Sequence, residues 1–233
     1  MAIILKKLKQ NNGKDVIIDS NSIIGMMGDS YLKLFSQLSN DNIYYMNSEY
    51  NFKKKLVKDE IILYSVNYDE KMIDNLLKEL SLSNNFLNYK IDDLSNSMKK
   101  ILKYLIMLIH DKHILVIDEP LIDLDSFYQK KIISILKNNV RNLGKTIIIG
   151  SNNSSTIYSL CSKIMFINKN NYIYGDSKKI MFDNNILKDY NIEMPDIIQF
   201  IIYAKEKGAK IGQSNDIRDL IKDVYKDVQE RSN

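Results

Sequence analysis

The sequence predicts an α/β fold: a mostly parallel sheet flanked by helices. Three observations predict it. Residues 114–117 (ILVI) form an unbroken apolar run, which suits a strand covered on both faces, as in a parallel sheet. Residues 146–149 (TIII) form a second such run, just after a glycine helix stop at Gly144. Between the runs lie stretches with apolar residues three and four apart, the period of a helix packed on one face. The first run stops at Asp118-Glu119-Pro120. Carboxylates at the carboxyl end of a buried strand sit where open α/β sheets bind ligands; taken alone, they equally suit an acidic turn leaving the sheet.

In chain order, residues 3–19 read as two short strands around Asn11-Asn12-Gly13, a hairpin turn. Ile23 and Ile24 end a further strand, residues 25–30 form a loop, and residues 31–38 form a helix. Leu32, Phe35 and Leu38 fall at core spacing, with Asp29 or Ser30 as cap. Strand, glycine loop and helix is the setting of a phosphate-binding P-loop, G-x-x-x-x-G-K-[ST]. Laid from Gly25, that pattern puts Ser30, Tyr31 and Leu32 where glycine, lysine and hydroxyl belong. Gly25 and Gly28 then serve either as a backbone anion nest or as a plain strand-to-helix turn. Asp29 puts a negative charge where phosphate would sit.

Residues 43–50 read as β, and residues 58–66 as a strand with 61–63 buried. Residues 72–82 are an amphipathic helix with Met72, Ile73, Leu76, Leu77 and Leu80 on one face. Residues 97–109 are another, with a stripe of Met98, Ile101, Leu102, Leu105 and Ile109. A helix over residues 130–140 follows, then one over 155–161 and a strand pair at 163–168 and 172–174. Two helices close the chain, one from Pro195, a favoured first position, to a stop at Gly208, and one over residues 216–230. His110 and His113 read as surface residues.

Composition narrows the classes. The net charge of +4 is mild and the charges are interleaved, so no nucleic-acid footprint is indicated. Cys161 is the single cysteine, so no intrachain disulfide forms, in keeping with a reducing compartment. The opening MAIILKKLKQ is too short an apolar run for a signal peptide, and no stretch approaches the ~20 apolar residues of a membrane span.

Three short runs carry a resemblance. Leu94-Ser95-Asn96-Ser97-Met98, ILVIDEP at 114–120 and Asp123-Leu124-Asp125 stand in one order with a helix between the first two. Together they resemble the signature turn, Walker B strand and D-loop of the ATP-binding subunits of ABC transporters. The two closing helices resemble those of energy-coupling-factor ATPase subunits. The resemblance implies a P-loop NTPase-like fold of ABC-ATPase type. Residues 1–190 would form the nucleotide-binding domain, with a reduced helical subdomain at about 68–110. Residues 191–233 would form a helical appendage, either for dimerisation or as a cap on the chain's own core.

It also implies roles. Asp118 would hold Mg²⁺ and Glu119 would act as the catalytic residue polarising water. Gly25, Gly28, Asp29 and Ser30 would line the nucleotide loop, Asn67 would stand at the Q-loop glutamine, and Asn152 at the switch histidine. Ser95, Asn96, Ser97 and Asp125 would serve the ATP of a partner subunit. The departures are the missing phosphate lysine, the missing hydroxyl, and the replaced glutamine, signature glycines and histidine. Phosphoryl transfer rests on positioning and electrostatic stabilisation, so binding of ATP and Mg²⁺ is expected to be weakened or lost. The expected partners are a second ABC ATPase subunit, identical or different, and an integral membrane transporter subunit, with no nucleic acid. The expected place is the cytoplasm, peripheral on the inner face of the membrane. The leading expectation is a degenerate transporter ATPase subunit; the alternative is a soluble pseudo-ATPase scaffold or regulator.

Overall fold

The computed structural model describes the chain except residues 1–2, 10–14, 29–30, 36–41, 48, 66–67, 169–170 and 233. Eight strands and ten α-helices are present among the described residues. They divide into two compact units, Met1–Lys33 with Ile149–Asn233, and Leu34–Ile148. Residues 191–233 belong to the first of these.

In the first unit, β1 (Ile3–Lys9) and β2 (Asp15–Ile18) pair antiparallel, with a register shift between Leu5 and Lys9. The Asn11-Asn12-Gly13 turn lies outside the described residues. β3 (Ile23–Met27) is buried throughout and pairs parallel with β7 (Lys163–Asn168). β7 pairs antiparallel with β8 (Asn171–Asp176). Helix α6 (Ser154–Leu160) packs on β3. Gly25 makes that packing possible: a Cβ there would lie 2.5 Å from Ile157 Cγ2 and 3.1 Å from the Cys161 sulfur. Cys161 is fully buried, and burial pushes its thiol pKa up. Two short helices absent from the sequence reading, α7 (Ser177–Met181) and α8 (Asn184–Asp189), follow β8. Both are capped by aspartates, Asp176 and Asp183, whose carboxylates accept backbone N–H groups of the first turn.

Helix α9 (Asp196–Glu206) starts one residue after Pro195, which is its N-cap, and is stopped by Gly208 with φ 84°. Ile201, Ile211 and Leu220 form a small core there, with Ile197, Ala204 and Val224 against it. Helix α10 (Ile217–Ser232) thus buries Leu220, while Ile217, Ile221, Tyr225 and Val228 of the same helix remain exposed.

The second unit holds the parallel pair β4 (Ile43–Met46) and β5 (Ile114–Asp118). Their register sets Met46 opposite Ile117, so the next residues, Asn47 and Asp118, leave the two strands side by side. Helix α4 (Asn96–His110) buries Ile101, Leu102 and Leu105, as its stripe requires, but also Lys100, Lys103 and Tyr104. Helix α3 (Glu70–Glu79) buries Ile73 and Leu77 and is capped by Asp69. Helix α5 (Ser126–Leu143) runs longer at both ends than its predicted span and stops at Gly144 with φ 63°. Strand β6 (Thr146–Gly150) crosses the unit boundary; its Thr146 N–H donates to the His113 carbonyl, and the following Ser151 N–H donates to the Met26 carbonyl of β3.

Four expectations change. Residues 58–66 are not a strand: helix α2 (Val57–Tyr64) occupies most of them. The run Ile61-Ile62-Leu63 looks continuous in sequence, yet Ile61 is buried while Ile62 and Leu63 are exposed. The buried set Val57, Glu60, Ile61 has helical spacing and includes a carboxylate. Glu60 is satisfied by the Tyr50 hydroxyl and the Lys53 and Lys54 backbone N–H groups, at 2.7–3.0 Å. In helix α1 (Tyr31–Phe35), Phe35 is buried as expected, but Leu32 is exposed and Tyr31 and Leu34 are buried in its place; Leu38 lies outside the described residues. The loop after β3 begins at Gly28, not Gly25. His110 is half-buried between the rings of Tyr44 and Tyr64, at 4.7 and 5.3 Å, and burial followed by Lys112 lowers its pKa.

Candidate functional site

In the second unit, β5 delivers Asp118, nearly buried, and then Glu119, half-buried with φ 46°. A left-handed residue here turns the chain out of the strand, so the two carboxylates do not simply alternate as in an extended strand. Helix α4 holds this turn. Lys100 Nζ donates to the Glu119 carbonyl at 2.7 Å and to the Asp118 carbonyl at 3.3 Å. One turn further along α4, the buried Tyr104 hydroxyl donates to the Pro120 carbonyl at 2.7 Å. Burial, then the neighbouring Lys103, lowers the Lys100 pKa to about 8, against the pull of Asp118, Asp123 and Glu119. Burial also raises the Tyr45 pKa, helped by Asp118 and Glu49.

Ser95 is the N-cap of α4; its Oγ accepts the Met98 N–H at 3.2 Å. The hydroxyl hydrogen stays available to a further acceptor, because the cap uses only a lone pair. Asn96 and Ser97 open the first turn of that helix. Asp125 is the N-cap of α5 and accepts the Tyr128 N–H at 2.9 Å. Between them, Asp123 takes φ 64°, and the Gln129 side chain donates to the Leu124 carbonyl at 3.0 Å. Asn67 lies outside the described residues, and the element before it is the helix α2. Asn47 is the polar residue that follows a strand beside Asp118, and the sequence reading missed it. The readable signal was the parallel strand itself: a polar residue closing IYYM at the level where ILVI closes on Asp118.

In the first unit, Gly28 takes φ 107°, and a Cβ there would lie 2.1 Å from the Ile167 carbonyl oxygen. No other residue fits this strand exit without displacing backbone. Gly25, by contrast, sits inside β3 and serves helix packing, which corrects its place in the loop. Asp29 and Ser30 lie outside the described residues. Tyr31, at the lysine position, is buried, and Leu32, at the hydroxyl position, is an exposed alkyl chain. Asn152 follows Ser151, whose Oγ accepts the Asn153 N–H at 3.1 Å, while the Asn153 carboxamide caps α6.

Gly28 and Asn152 come together on one cavity of about 580 Å³. Residues 190–199 complete its wall and bring Glu193 and Asp196 to it, with no lysine or arginine in the lining among the described residues. Nothing in the sequence pattern signalled that this segment returns beside Gly28. The donor sets therefore differ in how they fit ATP and Mg²⁺. Asp118 is a hard oxygen ligand of the kind Mg²⁺ takes alongside phosphates and water. The described residues of the β3 exit supply neither the cation nor the hydroxyl that the nucleotide loop uses, and the cavity beside them is lined by carboxylates.

No family model matches the chain. It is similar to the energy-coupling factor transporter ATP-binding protein of Oenococcus oeni, 25% identical over 207 residues, 85% of this chain and 71% of that protein. It is similar to an energy-coupling factor transporter ATP-binding protein of Clostridium perfringens, 25% identical over 183 residues, 78% of this chain. The chain spans 61% of the length of that relative. Among solved structures, cbiO1 from Clostridium perfringens, part of an ABC transporter complex, superposes with TM-score 0.62 at 17% identity, covering 85% of this chain and 98% of that one. A dimeric bacterial ABC transporter cassette superposes with TM-score 0.61 at 16% identity, covering 76% and 99%. The fold is that of the ABC ATPase cassette.

Proposed function

We propose that this chain is an ATP-binding subunit of an ABC transporter of the energy-coupling-factor kind, with a degenerate nucleotide loop of its own. The observation that carries this reading is the strand end of β5. A buried Asp118 and a turned Glu119 stand between a serine-capped helix and an aspartate-capped helix, in the order the cassette uses. In this reading Asp118 holds Mg²⁺, and Glu119 orients and accepts a proton from the attacking water. Asn47 takes the position beside them that the resemblance had given to Asn67. Mg²⁺, when bound, would neutralise charge on the transferring phosphate.

The carboxylates lining the Gly28 cavity and the exposed Leu32 support weak binding at the chain's own nucleotide loop. Its contribution is then made across an interface: the Ser95 hydroxyl donates to the γ-phosphate held by a competent partner ATPase, and Asp125, the N-cap of α5, serves the same partner site. The exposed row Ile217, Ile221, Tyr225 and Val228 on α10 supports a dimerisation role for the closing helices. No helix among the described residues is long and apolar enough to cross a membrane. Transport then requires a separate membrane subunit, with this chain peripheral to it on the cytoplasmic side.

The test is calorimetric titration of ATP with and without Mg²⁺, followed by reconstitution with a membrane subunit and an intact ATPase. The expected result is no binding, or millimolar binding, to the chain alone, and transport by the trio that is lost in Ser95→Arg. Unchanged transport in Ser95→Arg overturns the reading. Failure to co-purify with any membrane subunit favours a soluble pseudo-ATPase scaffold instead.

A further inference from the structure

Helix α4 buries two lysines that lie off its apolar stripe. Lys100 and Lys103 are only 4% and 8% exposed. Buried lysines are rare unless their charge is balanced. Lys100 directs its ammonium to two carbonyls, which are neutral acceptors. Lys103 stands 5.9 Å over the Tyr50 ring. Burial disfavours both ammonium groups and Lys103 further disfavours that of Lys100, while Asp118 and Asp123 favour both.

Both lysines line a cavity of about 480 Å³ in the second unit, together with Lys54 and Lys99. The lining carries four lysines against Asp92 and Asp123, and from behind the wall Asp118 also acts on the two buried ammonium groups. Asn51 and Asn96 add amide donors to the same walls. Lysines from a loop and from two turns of a helix thus converge on one concave site of ordinary ligand size. Multiple ammonium donors with amide support are the chemistry of phosphate recognition.

We propose that this cavity binds a phosphoryl anion, either free phosphate or a phosphomonoester, held by Lys54, Lys99 and Lys103. Lys100 joins the same wall to the carbonyls of Asp118 and Glu119, so an anion in the cavity bears on the strand end that the proposed function uses. The binding itself does not depend on that function.

The test is titration of the full chain, without nucleotide, with inorganic phosphate and separately with phenyl phosphate. Lys54→Gln removes an exposed lysine of the lining and leaves the core intact; Lys103→Gln removes a buried one. Lys78→Gln removes an exposed lysine of α3 that does not line the cavity. Saturable binding is expected, weakened about tenfold in Lys54→Gln and at least as much in Lys103→Gln, and unchanged in Lys78→Gln. Tighter binding of phenyl phosphate identifies an organic phosphate as the source, and tighter binding of inorganic phosphate identifies the free ion. Absence of saturation by about 10 mM of either probe overturns the proposal. Equal weakening in Lys54→Gln and Lys78→Gln also overturns it, since that is diffuse charge attraction. Saturable phosphate binding by a chain that does not bind ATP separates this site from the nucleotide loop.

Discussion

Strands β3 and β5 both leave their pairing through a left-handed residue, and each exit is held by a different device. At β5 the turn is Glu119, a residue that pays a steric penalty for φ 46°. Three side-chain hydrogen bonds from one face of α4 hold it there. At β3 the turn is Gly28, and what holds it is the backbone of Ile167 lying where a side chain would be. An exit held by side chains can be loosened by degrees, whereas one shaped by backbone contact admits glycine alone.

The comparison breaks most sharply at Gly28. Gly28→Ala adds a methyl group against the Ile167 carbonyl in a conformation alanine avoids, and should cost about 3–5 kcal/mol in urea unfolding. A loss below about 1 kcal/mol would mean that the β3 exit is as adaptable as the β5 exit.

Lys100 gives the next effect, and its sign is set by burial. Folding lowers its pKa from 10.5 to about 8. Between those values the unfolded chain holds a proton that the folded chain lacks, so stability from this group rises with pH across the window. Below about pH 8 the full cost of a buried ammonium is present. Wild type should therefore gain about 2–3 kcal/mol more than Lys100→Met between pH 7.5 and 10.5, read from paired urea midpoints. Parallel pH profiles for the two proteins would show that Lys100 is not the group that titrates.

Tyr104→Phe removes one hydrogen bond to a buried carbonyl at the β5 exit, and a loss of about 1–2 kcal/mol is expected on thermal unfolding. Ser95→Ala removes the α4 cap and should cost about 1 kcal/mol. Ser95→Asp keeps a capping oxygen and should restore most of that stability. Under the proposed function it still abolishes transport in a reconstituted complex, because a carboxylate cannot donate to phosphate. Stability and transport recovering together would reduce Ser95 to a cap.

These contrasts explain what the sequence made legible. The β5 exit was readable because its carboxylates follow an apolar run and its flanking caps are side chains in sequence order. Its supports were not, because lysines on a helix are read as solvated, and only packing reveals Lys100 and Lys103 as buried. Residues 57–64 were misread for a related reason: the face of α2 includes Glu60, and a pattern that counts carboxylates as outward loses the helical period. That reading placed the glutamine-like position at Asn67, after an expected strand, whereas the proposed function gives it to Asn47, which follows β4 beside β5. At β3, Gly28 was readable only as a nest or turn glycine, because the partner that makes it necessary is Ile167, 139 positions later. The return of Glu193 and Asp196 to the cavity of Gly28 left no local trace at all.

Cys161 has a use beyond packing. Its sulfur is sealed behind Gly25 and Ile157, and its thiol is held in the protonated, unreactive form. A disulfide reagent can therefore reach it only when β3 and α6 part. With no second cysteine in the chain, the rate of its labelling in native buffer is a clock for that opening alone. Run against denaturant, the same clock tells whether this half of the cassette breathes by itself or only as the whole chain unfolds.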